Sequence, residues 1–110
     1  MLTIEPCTVE GEPALALQGE LTIYAVVEAR KRLDPALDAA PGLRLDLDGV
    51  TELDSAGTQL LVWLKQEAHR RGRQLALCRH SPAVLEVFDL LKVAALFGDP
   101  ILIAPSAKEA

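Results

Sequence analysis

The residue types best suited to chemistry lie in one short stretch, Asp54-Ser55-Ala56-Gly57. Short polar side chains satisfy the free N–H groups at a helix end, and glycine lets two backbones approach closely. We therefore predict that a strand ends here and a helix begins, with Ser55 at or beside the helix N-terminus. At that position the hydroxyl should be accessible, and the helix dipole favours negative charge. The stretch suits a serine that carries a switchable phosphate or serves as a recognition point.

A hydrolase that used Ser55 as its nucleophile would need a histidine within hydrogen-bond reach. The chain has two histidines, His69 and His80. If residues 56–71 form one helix, His69 lies about 21 Å from Ser55 along the helix axis. His80 ends a strand on the same sheet edge as Asp54, so its position leaves the possibility open. However, the chain has no Gly-x-Ser-x-Gly elbow and no clear third member. We predict no catalytic residues.

Three aspartates, Asp46, Asp48 and Asp54, could be imagined as a magnesium site or a phosphoryl acceptor. Asp46 and Asp48 alternate with leucines, which places both on the polar face of a strand, where solvated carboxylates are expected. The chain also lacks the Gly-x-x-x-x-Gly-Lys-Ser/Thr loop that cradles nucleotide phosphates. We predict no metal site and no cofactor.

The helix after Ser55 has two faces. At 100° per residue, the core face is predicted to consist of Gly57, Leu60, Leu61, Leu64 and Ala68. Val62 points nearly opposite, with Trp63 on the flank, and these two apolar residues among polar ones resemble an interface core with a polar rim. An ordinary solvated face is the alternative. The predicted partner-binding surface comprises Ser55 with Thr58, Gln59, Val62, Trp63 and Gln66, joined by Glu20 and Thr22 from the neighbouring loop.

Basic residues surround the other end of this helix and the next strand. They are Lys65, Arg70, Arg71, Arg73 and Arg79. Cations are favoured near a helix C-terminus, and Gly72 is a typical stop. We expect a structural role for this basic cluster, with a patch for an anionic partner as the alternative.

The segments around this helix alternate between strand and helix patterns. Residues 2–9 and 14–17 predict a hairpin. Thr22 can cap a helix over residues 24–37, in which Pro35 should kink or break the last turn. The apolar positions of that helix are Val26, Val27, Ala29, Leu33 and Leu37. Later predicted strands cover residues 43–48, 74–78 and 101–104, and Ser81-Pro82 starts a further helix. The fold class is therefore α/β: a mixed sheet of four or five strands, parallel after the first hairpin, with helices mainly on one face.

Composition excludes several classes of function. Half of the 110 residues are apolar, enough for one domain with its own core, which we expect over residues 1–104, before a frayed tail over 105–110. A net charge of −5 and only four aromatic residues argue against nucleic-acid binding. No apolar run reaches the roughly 20 residues of a membrane helix, and the start lacks a signal-peptide pattern. We predict a cytoplasmic protein that binds another protein.

The motif Asp54-Ser55-Ala56-Gly57, preceded by the alternating strand 43–50, resembles the signature of STAS domains, the fold of bacterial anti-sigma factor antagonists. The resemblance extends from about residue 19 to residue 97. In those antagonists, an anti-sigma factor kinase phosphorylates the serine after the aspartate. The unphosphorylated form binds that kinase and frees the sigma factor. The resemblance implies that Ser55 is the phosphorylated residue.

The chain departs from the sporulation antagonists at two positions. Thr22 replaces their aspartate, and Thr58 replaces their leucine. Both departures lie near the expected partner surface, so the identity of the partner stays open. Gly19-Glu20-Leu21-Thr22-Ile23-Tyr24, followed by a helix, also resembles STAS proteins associated with chemosensory signalling. A further branch, the STAS subunit of lipid-asymmetry ABC transporters, uses the same helix to bind its ATPase. We predict a partner-switching regulator, with a transporter subunit as the alternative.

Overall fold

The computed structural model describes residues 1–91 of the chain. Its first two strands, β1 (Leu2–Val9) and β2 (Glu12–Leu21), form an antiparallel hairpin. Glu10 and Gly11 link them and both have positive φ angles, 53° and 82°, as two-residue hairpin turns require. The predicted hairpin is confirmed, although β2 is longer than residues 14–17.

The next elements add two parallel strands to the sheet beside β2. Helix α1 (Val26–Ala39) leads to β3 (Gly42–Leu53), and helix α2 (Ser55–Arg70) leads to β4 (Gln74–Cys78). The sheet order is β1-β2-β3-β4, with β3 parallel to β2 and β4 parallel to β3.

Helix α3 (Pro82–Leu91) closes the described chain. The Ser81 hydroxyl accepts a hydrogen bond from the Val84 N–H at 3.2 Å, which confirms Ser81-Pro82 as a helix start. The predicted strand at 101–104, the domain end at residue 104 and the tail over 105–110 lie outside the described residues.

The strand register gives the sheet one apolar face. Ile4 pairs with Leu17, and Leu45 pairs with Leu77, so leucines of neighbouring strands point to the same side. One buried cluster combines side chains of the strands with Leu33, Leu61 and Val84, one from each helix. The strand residues in it are Ile4, Leu17, Leu21, Leu45, Leu47, Val50, Leu53, Leu75 and Leu77. All three described helices therefore cover the same face, as predicted.

Two details of α1 differ from the prediction. Thr22 does not cap the helix with its side chain: its carbonyl oxygen accepts from the N–H groups of Ala25 and Val26 at 2.8 and 3.1 Å, and Ala25 is the N-cap. Pro35 lies inside a helix that continues to Ala39, so it does not break the last turn, and the predicted kink stays a prediction. Leu33 and Leu37 on either side are fully buried, and burying two leucines stabilises the helix by about as much as one interior proline costs it.

Candidate functional site

Asp54 organises the start of α2. One carboxylate oxygen, Oδ1, accepts a hydrogen bond from the Gly57 N–H at 2.8 Å, and the other, Oδ2, accepts from the Ile23 N–H at 2.9 Å. The Asp54 carbonyl oxygen accepts from both the Thr58 N–H and the Thr58 hydroxyl, each at 2.9 Å. Asp54 is therefore the N-cap of α2 and also ties this helix to the segment before α1.

Gly57 lets the first turn of α2 lie against the ends of two strands. A Cβ atom at this position would lie 2.1 Å from the carbonyl oxygen of Leu21, in β2, and 2.8 Å from Cδ1 of Leu53, in β3. Both distances are too short for real contacts. Gly57 is buried, and its missing side chain sets how closely the helix approaches the sheet.

Ser55 is the first residue of α2 and is exposed, which confirms the predicted place at the helix N-terminus. Within residues 1–91, no group forms a hydrogen bond with its hydroxyl, because Asp54 supplies the cap. Ala56 beside it is half-buried. An exposed, uncommitted hydroxyl next to unsatisfied helix N–H groups can accept a phosphoryl group and hold the resulting anion.

The predicted partner-binding surface is only partly assembled. Glu20, Gln59 and Gln66 are exposed, as predicted. Thr58 and Thr22 are 4% and 8% exposed, so their predicted outward orientation is wrong. Thr58 lies at the edge of the core face and bonds Asp54, while the Thr22 carbonyl anchors the turn into α1.

The two apolar residues of that surface also differ from expectation. Val62 is half-buried and packs against the core, so it does not project outward as predicted. Replacing it by aspartate would therefore disturb the fold as well as any interface. Trp63 is half-buried, as predicted. The Arg30 guanidinium of α1 stacks over its ring, 3.9 Å from the ring centroid. This contact joins the outer surfaces of α1 and α2.

Three apolar residues around the start of α1 are exposed and lie outside the predicted partner-binding surface. Ile23, Tyr24 and Val27 are 60%, 97% and 64% exposed. The Ile23 N–H donates a hydrogen bond to Asp54, the residue before Ser55. The helix pattern predicts Val27 on the inner face, although it fits the period of Leu33 and Leu37 poorly. This poor fit to the helix period is the signal in the sequence that indicates an exposed Val27.

The structure also describes the surroundings of the residues weighed for other chemistries, the aspartates and His80. Asp46 is almost buried, not solvated as expected, because Arg79 lies over it: Arg79 Nε is 3.4 Å from Asp46 Oδ1, and Arg79 Nη2 is 2.9 Å from Asp48 Oδ2. The ring of His80 packs edge-on against Phe88, with centroids 5.7 Å apart. In the part of the chain that is described, no group of three or more His, Cys, Asp or Glu residues is placed to hold a metal ion.

A family model described as Mlab, STAS domain, matches residues 8–102. The chain belongs to the STAS domain family. Among curated proteins, it is similar to the anti-sigma-B factor antagonist of Bacillus subtilis strain 168, with 26% identity over 81 residues, which cover 74% of each chain. Along residues 1–91, this STAS domain has no helix long and apolar enough to cross a membrane.

Solved structures show the same fold. The anti-sigma factor antagonist SpoIIAA in its unphosphorylated form superposes with a TM-score of 0.67 at 23% identity, covering 89% of this chain and 88% of that one. The Bacillus cell fate determinant SpoIIAA in the phosphorylated form gives a TM-score of 0.62 at 20% identity, covering 91% of each chain. This STAS domain thus has an anti-sigma factor antagonist-like fold.

Proposed function

We propose that this STAS domain is a non-enzymatic, cytoplasmic partner-switching regulator, similar to an anti-sigma factor antagonist, and that phosphorylation of Ser55 controls its binding to a kinase or related signalling protein. One observation carries the proposal. The Ser55 hydroxyl is exposed at the first residue of α2 while Asp54 performs the capping. A serine with no capping duty can be modified without loss of the fold. The proposed partner is a protein, with no cofactor and no nucleic acid.

The charges around Ser55 explain how a phosphate would act. It adds about −1.5 to −2 charge at pH 7, which the helix dipole and free N–H groups accommodate locally. Two hydrogen bonds hold the Asp54 carboxylate beside it, so the local charge becomes strongly negative. A partner surface shaped for a neutral hydroxyl would have to desolvate a dianion, and affinity falls.

The relatives support the same proposal. A curated relative is an anti-sigma-B factor antagonist, and the SpoIIAA fold has been solved in an unphosphorylated and a phosphorylated form. The position that matches the phosphorylated serine of such antagonists is Ser55, after Asp54.

The test combines phosphorylation and binding. The full chain is incubated with native cell extract and ATP, and its phosphopeptides are mapped by mass spectrometry. In parallel, the extract proteins that bind to the Ser55→Ala variant are compared with those that bind to Ser55→Asp. We expect phosphate on Ser55, with a protein retained by Ser55→Ala and released by Ser55→Asp. The regulatory role would be refuted if no phosphate is found on Ser55, or if the bound protein binds both variants equally well.

A second candidate is favoured by the description of the family model, Mlab, STAS domain. In this alternative the domain is the STAS subunit of a lipid-asymmetry ABC transporter, and the α2 surface binds the ATPase. Recovery of an ABC ATPase that binds wild type and Ser55→Asp equally would select this candidate.

A further inference from the structure

One carboxylate connects the amino ends of two helices. Asp54 is the N-cap of α2, and its Oδ1 accepts a hydrogen bond from the Gly57 N–H at 2.8 Å. Its Oδ2 accepts from the Ile23 N–H at 2.9 Å, in the turn before α1. Both oxygens belong to one planar group, so the side chain cannot rotate away from one N–H group without also moving relative to the other. The cap of α2 and the turn before α1 are therefore coupled through Asp54.

The turn before α1 has few other anchors. No side chain within residues 1–91 caps α1, whose N-cap is Ala25. The Thr22 carbonyl oxygen closes the turn by accepting from the N–H groups of Ala25 and of the residue after it. Those bonds are internal to the turn and do not attach it to α2. Within the described chain, the bond from Ile23 to Asp54 is the hydrogen bond that fixes this turn against the start of α2.

This turn presents apolar side chains to solvent. Ile23 and Tyr24 are exposed, as is Val27 in the first turn of α1. A surface that is already ordered binds a partner with a smaller loss of conformational entropy than a mobile one. A change in the bond from Ile23 to Asp54 would therefore alter how firmly this surface is held in place.

A phosphate on Ser55 would act directly on the Asp54 carboxylate. Ser55 is exposed and follows Asp54 in the chain. The phosphate adds about −1.5 to −2 charge at pH 7, and beside an aspartate it acts through like-charge repulsion. It also brings three strong acceptor oxygens to the helix end whose N–H groups Asp54 uses. Among the residues that the structure describes, no cation forms a salt bridge with Asp54 that would offset the repulsion.

We propose that Asp54 transmits phosphorylation of Ser55 to the turn before α1. The phosphate displaces the Asp54 carboxylate, so the Ile23 N–H loses its acceptor and the turn that carries Tyr24 loosens. The hydrogen bond from the Thr58 N–H to the Asp54 carbonyl oxygen stays intact, because that oxygen belongs to the main chain and does not move with the carboxylate. Helix α2 therefore keeps its first turn. The inference rests on the proposed function, since it describes what a phosphate on Ser55 does.

Amide hydrogen exchange, measured by NMR on the full chain, tests the inference. Phosphoserine is incorporated at position 55 during translation, and the unmodified chain is the reference. We expect the exchange rate of the Ile23 amide to rise at least about fivefold, as for the loss of one hydrogen bond. The rate of the Thr58 amide should change by less than about twofold. The Val84 amide, which donates to the Ser81 hydroxyl at the start of α3, is the remote control and should not change.

The variant Asp54→Asn tests whether the effect passes through this carboxylate. Asparagine has one acceptor oxygen instead of two, and we expect that oxygen at the Gly57 cap. The variant should therefore speed exchange of the Ile23 amide without adding charge. Phosphoserine at position 55 in the Asp54→Asn chain should raise the rate by less than about twofold further, because the bond that it would break is already lost. A cooperative thermal transition establishes that each variant is folded.

Three results would overturn the inference. The first is an Ile23 exchange rate that phosphoserine or Asp54→Asn leaves unchanged, since the bond would then not hold the turn. The second is equal acceleration of Ile23 and Thr58, which would mean that the start of α2 frays as a unit. The third is a full phosphoserine effect in the Asp54→Asn chain, which would exclude Asp54 as the link.

The proposed function fails by a different measurement. It is refuted if cell extract does not phosphorylate Ser55, or if the partner binds Ser55→Ala and Ser55→Asp equally well. Because the phosphoserine is built into the chain, the exchange rates test the link through Asp54 whatever that result is.

Discussion

The two ends of helix α2 use their polar residues differently. At the amino end, Asp54 alone is committed to backbone N–H groups, and Ser55 stays exposed. At the carboxyl end, Arg71 contacts Asp34 at 2.6 Å, Asp38 at 3.0 Å and Glu67 at 2.9 Å. The contacts with Asp34 and Asp38 tie α1 to the end of α2. The charged residues at the carboxyl end are therefore engaged in contacts within the fold, whereas the Ser55 side chain at the amino end is not.

The basic cluster predicted around the end of α2 and the next strand is likewise engaged in ion pairs within the fold. Arg70 pairs with Glu67, and Arg79 pairs with Asp46 and Asp48. Gly72 has a φ of 70°, as expected for a residue that stops a helix. These ion pairs agree with the structural role expected for the cluster.

Gly57→Ala should have the largest effect, and it acts at the amino end. Alanine gains up to about 1 kcal/mol in helix propensity. However, the Cβ would lie 2.1 Å from the Leu21 carbonyl oxygen, a backbone atom that cannot rotate away. We expect a net loss of about 2 kcal/mol or more in unfolding free energy, measured by urea titration.

Gly42→Ala is the matched control for that substitution, because nothing lies within 4 Å of its Cβ position. Its stability should change by less than about 1 kcal/mol. Equal stability of the two variants would show that α2 does not need its close approach to the sheet.

Glu67→Gln tests the carboxyl end through pH. Hydrogen bonds from Arg70, together with those from Arg71, lower the pKa of Glu67 from 4.5 to about 2, against the opposing effect of partial burial. A lowered folded-state pKa stabilises the fold fully above pH 4.5, and this contribution is lost as the pH falls towards 2. The variant should be less stable than wild type at pH 7, and the gap should shrink as the pH falls.

Urea midpoints at pH 7, 4 and 2.5 measure that gap. Glu86→Gln, at an exposed position on α3, is the matched control and should give a small gap at every pH. A gap for Glu67→Gln that stays constant would mean that the ion pairs at this end contribute nothing to folding stability.

Asp54→Asn should have the smallest effect on stability and the most local one. Asparagine caps a helix about as well as aspartate, but its NH₂ group cannot accept the hydrogen bond from the Ile23 N–H. We expect a loss of about 1 kcal/mol and faster hydrogen exchange at the Ile23 amide. Ser55→Ala is the control, with a change within about 0.5 kcal/mol. A greater loss from Ser55→Ala than from Asp54→Asn would make serine the cap.

Short-range patterns in the sequence determined most of the fold. The predicted strand 74–78 matches β4, and the helix predicted over 56–71 is α2 within one residue. The place of Ser55 at a helix start also follows from its neighbours in the chain. These features were predictable because helix periodicity, strand alternation and capping depend on residues a few positions apart.

Only the tertiary structure decided which of the site residues face solvent. Ile23 reaches the Asp54 carboxylate across 31 positions of chain, and no local pattern contains that contact. Thr58 is buried and Tyr24 is exposed because the packing of α1 and α2 on the sheet determines what covers each side chain. Periodicity predicts the inward face of one helix. The solvent exposure of a residue at the edge of that face depends on the neighbouring element.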